Sequence, residues 1–128
     1  MSDFFMIKVI LDTNFLVYCA ENKIDYKSEI DNLMDEGYVL VVPEQVIAEL
    51  NELYTKGTKF SDRSAAWLAL KILKANKVEV VPSRGKYADE AILNLVRIGN
   101  IVATLDLELR KKVSRAIVLE GKRKLILD

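Results

Sequence analysis

Four acidic residues fall where an α/β chain can carry out chemistry: Asp12, Glu49, Asp89 and Asp106. Asp12 ends the apolar run Val9-Ile10-Leu11, which reads as a strand buried on both faces, and it opens a polar triplet with Thr13 and Asn14. Asp106 follows a second such run, Ile101-Val102-Ala103, with Thr104 two residues before it. In open α/β sheets ligands sit just beyond the carboxyl ends of parallel strands, which is where both acids are expected. Glu49 lies on the stretch PEQVIAELNELYT, three residues after Val46 and four before Leu53, at the margin of an apolar helix face. Asp89 sits in a first helical turn in register with Ile92 and Val96, so its carboxylate is expected along a core face, where a charge needs a partner.

Each acid also has an ordinary role open to it. Asp12 and Asp106 can N-cap the helices that follow them, Asp89 can complement a helix dipole, and Glu49 can be a partly solvated glutamate. As a set they converge: two follow strand ends, one opens a helix, and Glu49 reaches the same edge if the strand before it neighbours the first. Carboxylates crowded into one crevice raise one another's pKa values, and a divalent cation relieves the repulsion. The chain has no histidine and a single cysteine, Cys19, which removes Ser–His and Cys–His nucleophile pairs, histidine- or cysteine-bound zinc and any internal disulfide. Ligands that are all oxygen point to Mg²⁺ or Mn²⁺. Carboxylate-held ions about 3.5–4 Å apart hydrolyse phosphodiesters, one activating water and the other steadying the leaving oxygen.

The elements that must position these acids alternate along the chain. A helix over Phe15–Ala20 follows the first strand, and Asp25 to Glu36 predicts a surface helix with Ile30, Leu33 and Met34 inward and Gly37 at C′. Tyr38 to Val42 is a second strand, after which Pro43 is placed at the first position of a helix running to Thr55. Ser61 to Ala75 reads as a helix with Trp67, Leu70 and Leu73 on its core side; Trp67 could instead stack on a base. Val78 to Val81 predicts a third strand, Tyr87 to Arg97 a helix, Leu107 to Lys112 a short helix, Ala116 to Leu119 a fifth strand, and Lys124 to Leu127 an added edge. Strand–helix alternation specifies a parallel sheet covered on both faces, in one domain spanning residues 1–128.

Charge is balanced overall, with 19 basic and 19 acidic residues, but it is segregated. Residues 1–55 hold three lysines against eleven acids, whereas residues 56–128 hold sixteen basic residues against eight acids. The basic half contains Arg110, Lys111, Lys112 and Arg115, candidates for contacts to a polyanion, with a solvated surface as the alternative. No apolar run approaches the roughly 18 residues of a membrane span, and Met1 to Met6 lacks the pattern of a signal peptide, so the expected setting is the cytoplasm.

Taken in order, the pieces VILDTNFLV at 9–17, VVPEQVIAEL at 41–50, ADEAIL at 88–93 and IVATLDLELR at 101–110 resemble the PIN-domain nucleases over essentially the full length. The resemblance implies a three-layer α/β/α sandwich around a central parallel sheet and metal-dependent cleavage of single-stranded RNA. It places the family's acids on Asp12, Glu49, Asp89 and Asp106, with Thr104 as the hydroxyl of a T-x-D motif. In that frame Asp12 ligates the metal, Asp89 and Asp106 complete the ligand set, a mobile Glu49 orients the attacking water or a second ion, and Thr104 positions Asp106 or a water. The ending ELRKKVSRAIVLEGKRKLILD looks most like a single-domain archaeal-type branch related to ribosomal RNA processing proteins, and toxins of toxin–antitoxin pairs share the pattern. The implied partners are single-stranded RNA, an antitoxin if the chain is a toxin, and a second copy in a homodimer. Leu105 replaces the Asn common in T-N-D, and Glu90 stands where a second Asp often follows Asp89; neither change removes a core carboxylate. A PIN-like module that binds RNA or protein without cleaving is the competing expectation. A haloacid dehalogenase-type phosphatase fits less well, because Asn14 replaces the second Asp of its D-x-D-x-T start.

Overall fold

The computed structural model describes residues 6–128, so the reading of the leader region falls mostly on residues outside it. Strand β1 (Ile7–Leu11) is central and pairs in parallel with β2 (Tyr38–Pro43) on one side and β4 (Ile101–Ala103) on the other. Strand β3 (Glu79–Val81) joins β2, and β5 (Ala116–Glu120) joins β4, also in parallel. Strand β6 (Lys124–Leu127) returns antiparallel on β5, giving the order β3-β2-β1-β4-β5-β6. The chain thus builds outward from β1 in one direction and then resumes at β4 in the other. The gap at the carboxyl ends of β1 and β4 is the topological switch point, where such sheets bind ligands.

Alternation along β1 divides the core. Val9 and Leu11 face a large cluster under α1 (Thr13–Glu21), α2 (Tyr26–Leu33), α3 (Glu44–Lys56) and α4 (Phe60–Ala75). Ile10 faces a smaller cluster with Val41, Ile92, Val102 and Leu109 under α5 (Ala88–Leu95) and α6 (Leu107–Lys111). Val9, Ile10 and Leu11 are wholly buried, each side chain contributing about 1.5–3 kcal/mol relative to exposure. Helices therefore cover both faces, as the three-layer expectation required. No helix among the described residues is long and apolar enough to cross a membrane.

Several local expectations are corrected. Trp67 is half exposed, because Ala66, Ala69 and Leu73 form the buried stripe of α4 and Trp67 lies off it. Helix α2 ends at Leu33, where Met34 turns extended, so Gly37 is not its C′ residue; its carbonyl instead accepts the Ile7 N–H at 3.1 Å. Pro43 closes β2, paired with Val81, and serves as N-cap rather than first residue of α3. Helix α5 stops at Leu95, because Val96 adopts an extended conformation.

Candidate active site

Asp12 occupies the first position beyond β1, and its backbone N–H continues the ladder by donating to the Ala103 carbonyl at 2.9 Å. Its side chain caps α1, with Oδ1 accepting the Thr13 N–H at 2.8 Å. Oδ2 accepts the Thr104 hydroxyl at 2.6 Å, and Thr104 is fully buried. The Asp12 carboxyl is pushed above the usual carboxylate range, first by burial; the charges of Glu49 and Asp106 raise it further, while the Thr104 and Thr13 hydrogen bonds oppose the shift. One residue thus both caps α1 and stands at the carboxyl end of β1.

Thr104 joins the second strand end to the first. Its Oγ1 donates to Asp12 while accepting the Asp106 backbone N–H at 3.0 Å. The hydroxyl was expected to serve Asp106 or a water; it holds the Asp106 backbone N–H, and the side chain it orients is that of Asp12. Asp106 caps α6 through Oδ1, which accepts from Glu108 N at 2.9 Å and Leu109 N at 3.3 Å, leaving Oδ2 without a hydrogen bond from the described residues. Asn14 adds a parallel tie, its Oδ1 accepting the Leu105 N–H at 3.2 Å.

Glu49 is not the mobile side chain expected. Its Oε1 accepts the Thr13 hydroxyl at 2.8 Å, and its Oε2 accepts the Ala88 N–H, also at 2.8 Å. Asp89 departs from expectation too: Ala88, Ala91 and Ile92 fill the core face of α5, and Asp89 is exposed, with Oδ1 accepting the Glu90 N–H at 2.8 Å.

All four predicted acids line one cavity of about 620 Å³. Two acids that sequence reasoning passed over, Glu21 and Asp62, share its wall, and no lysine or arginine does. Glu21 was legible: Asn14, Val17, Tyr18 and Glu21 recur at helical spacing and all line the cavity. Asp62 was not, since only the packing of α4 against α1 and α3 brings it there. Among the described residues no three acids are gathered closely enough to hold an ion as they stand. The donor set nonetheless suits a hard divalent cation: it is all oxygen, unneutralised by any basic side chain, and includes the free Oδ2 of Asp106 and the outward-facing Asp89. A hard cation near Asp12 would also oppose the rise of its carboxyl, which burial causes first and the charges of Glu49 and Asp106 add to.

The candidate RNA contacts lie at the far side of Asp106. Arg110 forms an ion pair with Asp128, and Lys111 approaches Glu108 at 3.5 Å, while Lys112 is exposed and Arg115 half-buried.

Comparison with known proteins gives a consistent result. A family profile described as PIN like domain matches residues 9–120. The chain is 36% identical over 111 residues to Ribonuclease VapC4 of Methanocaldococcus jannaschii, covering 84% of this chain and 83% of that protein. It is 32% identical over 114 residues to the rRNA-processing protein fcf1 of Schizosaccharomyces pombe, covering 84% of this chain but 53% of that protein. A solved structure of the PIN domain endonuclease Utp24 superposes with a TM-score of 0.75 at 26% identity, covering 94% of this chain and 90% of that one.

Proposed function

Since the chain belongs to the PIN-like domain family, we propose that it is an endoribonuclease that cleaves single-stranded RNA by metal-dependent phosphodiester hydrolysis, with Mg²⁺ or Mn²⁺ held by Asp12, Asp89, Asp106 and Glu49. The observation that carries this reading is the cavity itself: six carboxylates at the switch point, no basic side chain among them, and an Asp12 whose carboxyl is raised first by burial and then by the charges of Glu49 and Asp106. Bound there, the ions supply an activated water and compensation for charge on the leaving oxygen.

The chain's own residues do the rest. Thr104 fixes the direction of Asp12 Oδ2, and the Thr13 N–H fixes Oδ1, so the carboxylate is oriented before any ligand arrives. Asp106 presents Oδ2 from a helix cap whose other oxygen is occupied. Glu49 ties the β1–α1 junction to the start of α5 and so sets where Asp89 stands relative to Asp12. The cellular setting is ribosomal RNA processing or a toxin–antitoxin pair. Co-purification of a small DNA-binding antitoxin would assign the second.

The test is single-turnover cleavage of an unstructured RNA in Mn²⁺, with and without chelator, by wild type and Asp12→Asn. Chelator-sensitive cleavage absent from Asp12→Asn is expected; equal rates in the two proteins would overturn the reading. RNA binding without cleavage by wild type in any divalent metal would identify a non-cleaving module instead.

A further inference from the structure

Beside the acidic cavity lies a groove of about 580 Å³ between α3 and the loop that leads into α5. The two hollows share Glu49 and Leu53, so they are continuous along one side of α3. Their chemistry differs. The cavity has no basic residue, whereas the groove holds Lys56 and Lys86, neither of them in an ion pair with a described residue. The groove's acids are Glu49, which it shares with the cavity, and the exposed Glu52. Tyr87 stands at the groove with 55% of its surface exposed, and the Lys86 ammonium lies 5.4 Å from the ring centroid.

The loop that presents Lys86 and Tyr87 is held rigidly. Gln45 Nε2 donates one hydrogen to the Ser83 carbonyl at 2.8 Å and the other to the Gly85 carbonyl at 2.7 Å. Ser83 Oγ donates to the Ala91 carbonyl at 2.7 Å, and Asn94 Nδ2 to the Arg84 carbonyl at 2.8 Å. Gly85 has φ +126°, and a Cβ there would meet Glu90 Cβ at 2.8 Å, so the turn admits only glycine. An exposed aromatic ring on a tied-down loop, sharing a groove with two ammonium groups that no described residue pairs, suits a ligand with a flat face and a phosphate chain.

On the premise that the acidic cavity cleaves RNA, we propose that this groove carries the nucleotides next to the scissile phosphate, with Tyr87 stacking on a base and Lys56 and Lys86 contacting phosphates. A strongly anionic cavity repels a polyanion until its metal is bound. Cations on the adjoining wall offset that repulsion and hold the strand across the carboxylates. Because every base offers a stacking face, such a site binds single strands with little sequence preference.

Fluorescence anisotropy of a 5′-labelled single-stranded oligouridylate, titrated in chelator and in Mn²⁺, tests this in wild type and variants. Tyr87→Ala is expected to weaken binding about 10-fold, while Tyr87→Phe, which keeps the ring, stays near wild type. Lys56→Ala and Lys86→Ala should each lower the slope of log Kd against log salt by roughly 0.7, the share of one phosphate on a single strand. Ultraviolet cross-linking of 4-thiouridine RNA should map to Tyr87. These side chains are exposed, so the variants should keep the wild-type melting temperature. Cleavage by wild type with binding unchanged in all three Ala variants would overturn the groove alone and leave it to a protein partner. Binding that depends on Tyr87 in a protein that never cleaves would support the groove while removing the nuclease reading. No binding in either condition would overturn both.

Discussion

Glu49 caps the helix that carries Asp89: the Ala88 N–H donates to Glu49 Oε2 at 2.8 Å, while the same carboxylate takes the Thr13 hydroxyl on Oε1. One side chain on α3 therefore fixes the spacing between the β1 edge and the start of α5. Tyr87, at the capping position itself, makes no side-chain cap. Glu49→Ala should cost about 1–3 kcal/mol in urea unfolding, the range for losing hydrogen bonds to a charged acceptor, and should speed amide exchange at Ala88 and Asp89. Glu49→Gln keeps one acceptor and should lose less stability. Equal exchange in wild type and Glu49→Ala would show that α5 is held without it.

Asp12→Asn should separate activity from stability. Cleavage should fall by ~10³-fold, as for removal of a metal-held electrostatic centre. Without divalent metal the variant should be more stable than wild type near neutral pH. The Asp12 carboxyl is raised in the folded state, so the ionised form is what folding disfavours. That penalty is fully present above the folded pKa and vanishes as pH falls below the unfolded value. The stability difference should therefore shrink toward zero in acid. A gain in melting temperature that persists unchanged in acid would assign it to some other cause.

Mg²⁺ or Mn²⁺ should raise the wild-type melting temperature in proportion to the logarithm of its concentration, by mass action on the folded state. Asp12→Asn should lose most of that response. Equal shifts in the two proteins would remove the carboxylates from metal binding.

Thr104→Val keeps the shape of the buried side chain and deletes its hydroxyl. Asp12 loses its shortest hydrogen bond and the Asp106 N–H loses its acceptor. Cleavage should fall ~10- to 100-fold, the range for changes to groups that orient metal ligands, and the Asp12 carboxyl should rise further. Thr104→Ser should restore most of the rate. Failure of serine to rescue would mean that the methyl, not the hydroxyl, matters.

Triple alanine substitution at Arg110, Lys111 and Lys112 should flatten the salt dependence of RNA binding. Lys112 alone should account for much of the change, because Arg110 and Lys111 already face Asp128 and Glu108. An unchanged slope would make the run a solvated face.

What the sequence made legible follows local pattern. Asp12 and Asp106 could be placed because each follows a short, wholly buried apolar run, Val9 to Leu11 and Ile101 to Ala103, and a strand's end is fixed by the residues next to it. Glu49 could be placed at the margin of α3, but its bonds reach 36 and 39 residues away, and no local rule encodes them. Asp89 was misjudged because the helical register was carried through Val96; the helix ends before it, and three smaller or apolar neighbours fill the core face. Trp67 failed for a related reason. Size suggested burial, yet the close approach of α4 to α1 and α3 is made by alanines, and a bulky ring fits only outside that contact.

The margins of the sheet bear on how copies of this protein behave when crowded. At one margin β3 spans only three residues and runs into Pro82, which has no N–H to donate. At the other, β6 is four residues long, reversed in direction and led by the exposed Lys124. Neither margin offers a long flat template on which a neighbouring chain could add a strand. The fold is thereby guarded against edge-to-edge polymerisation.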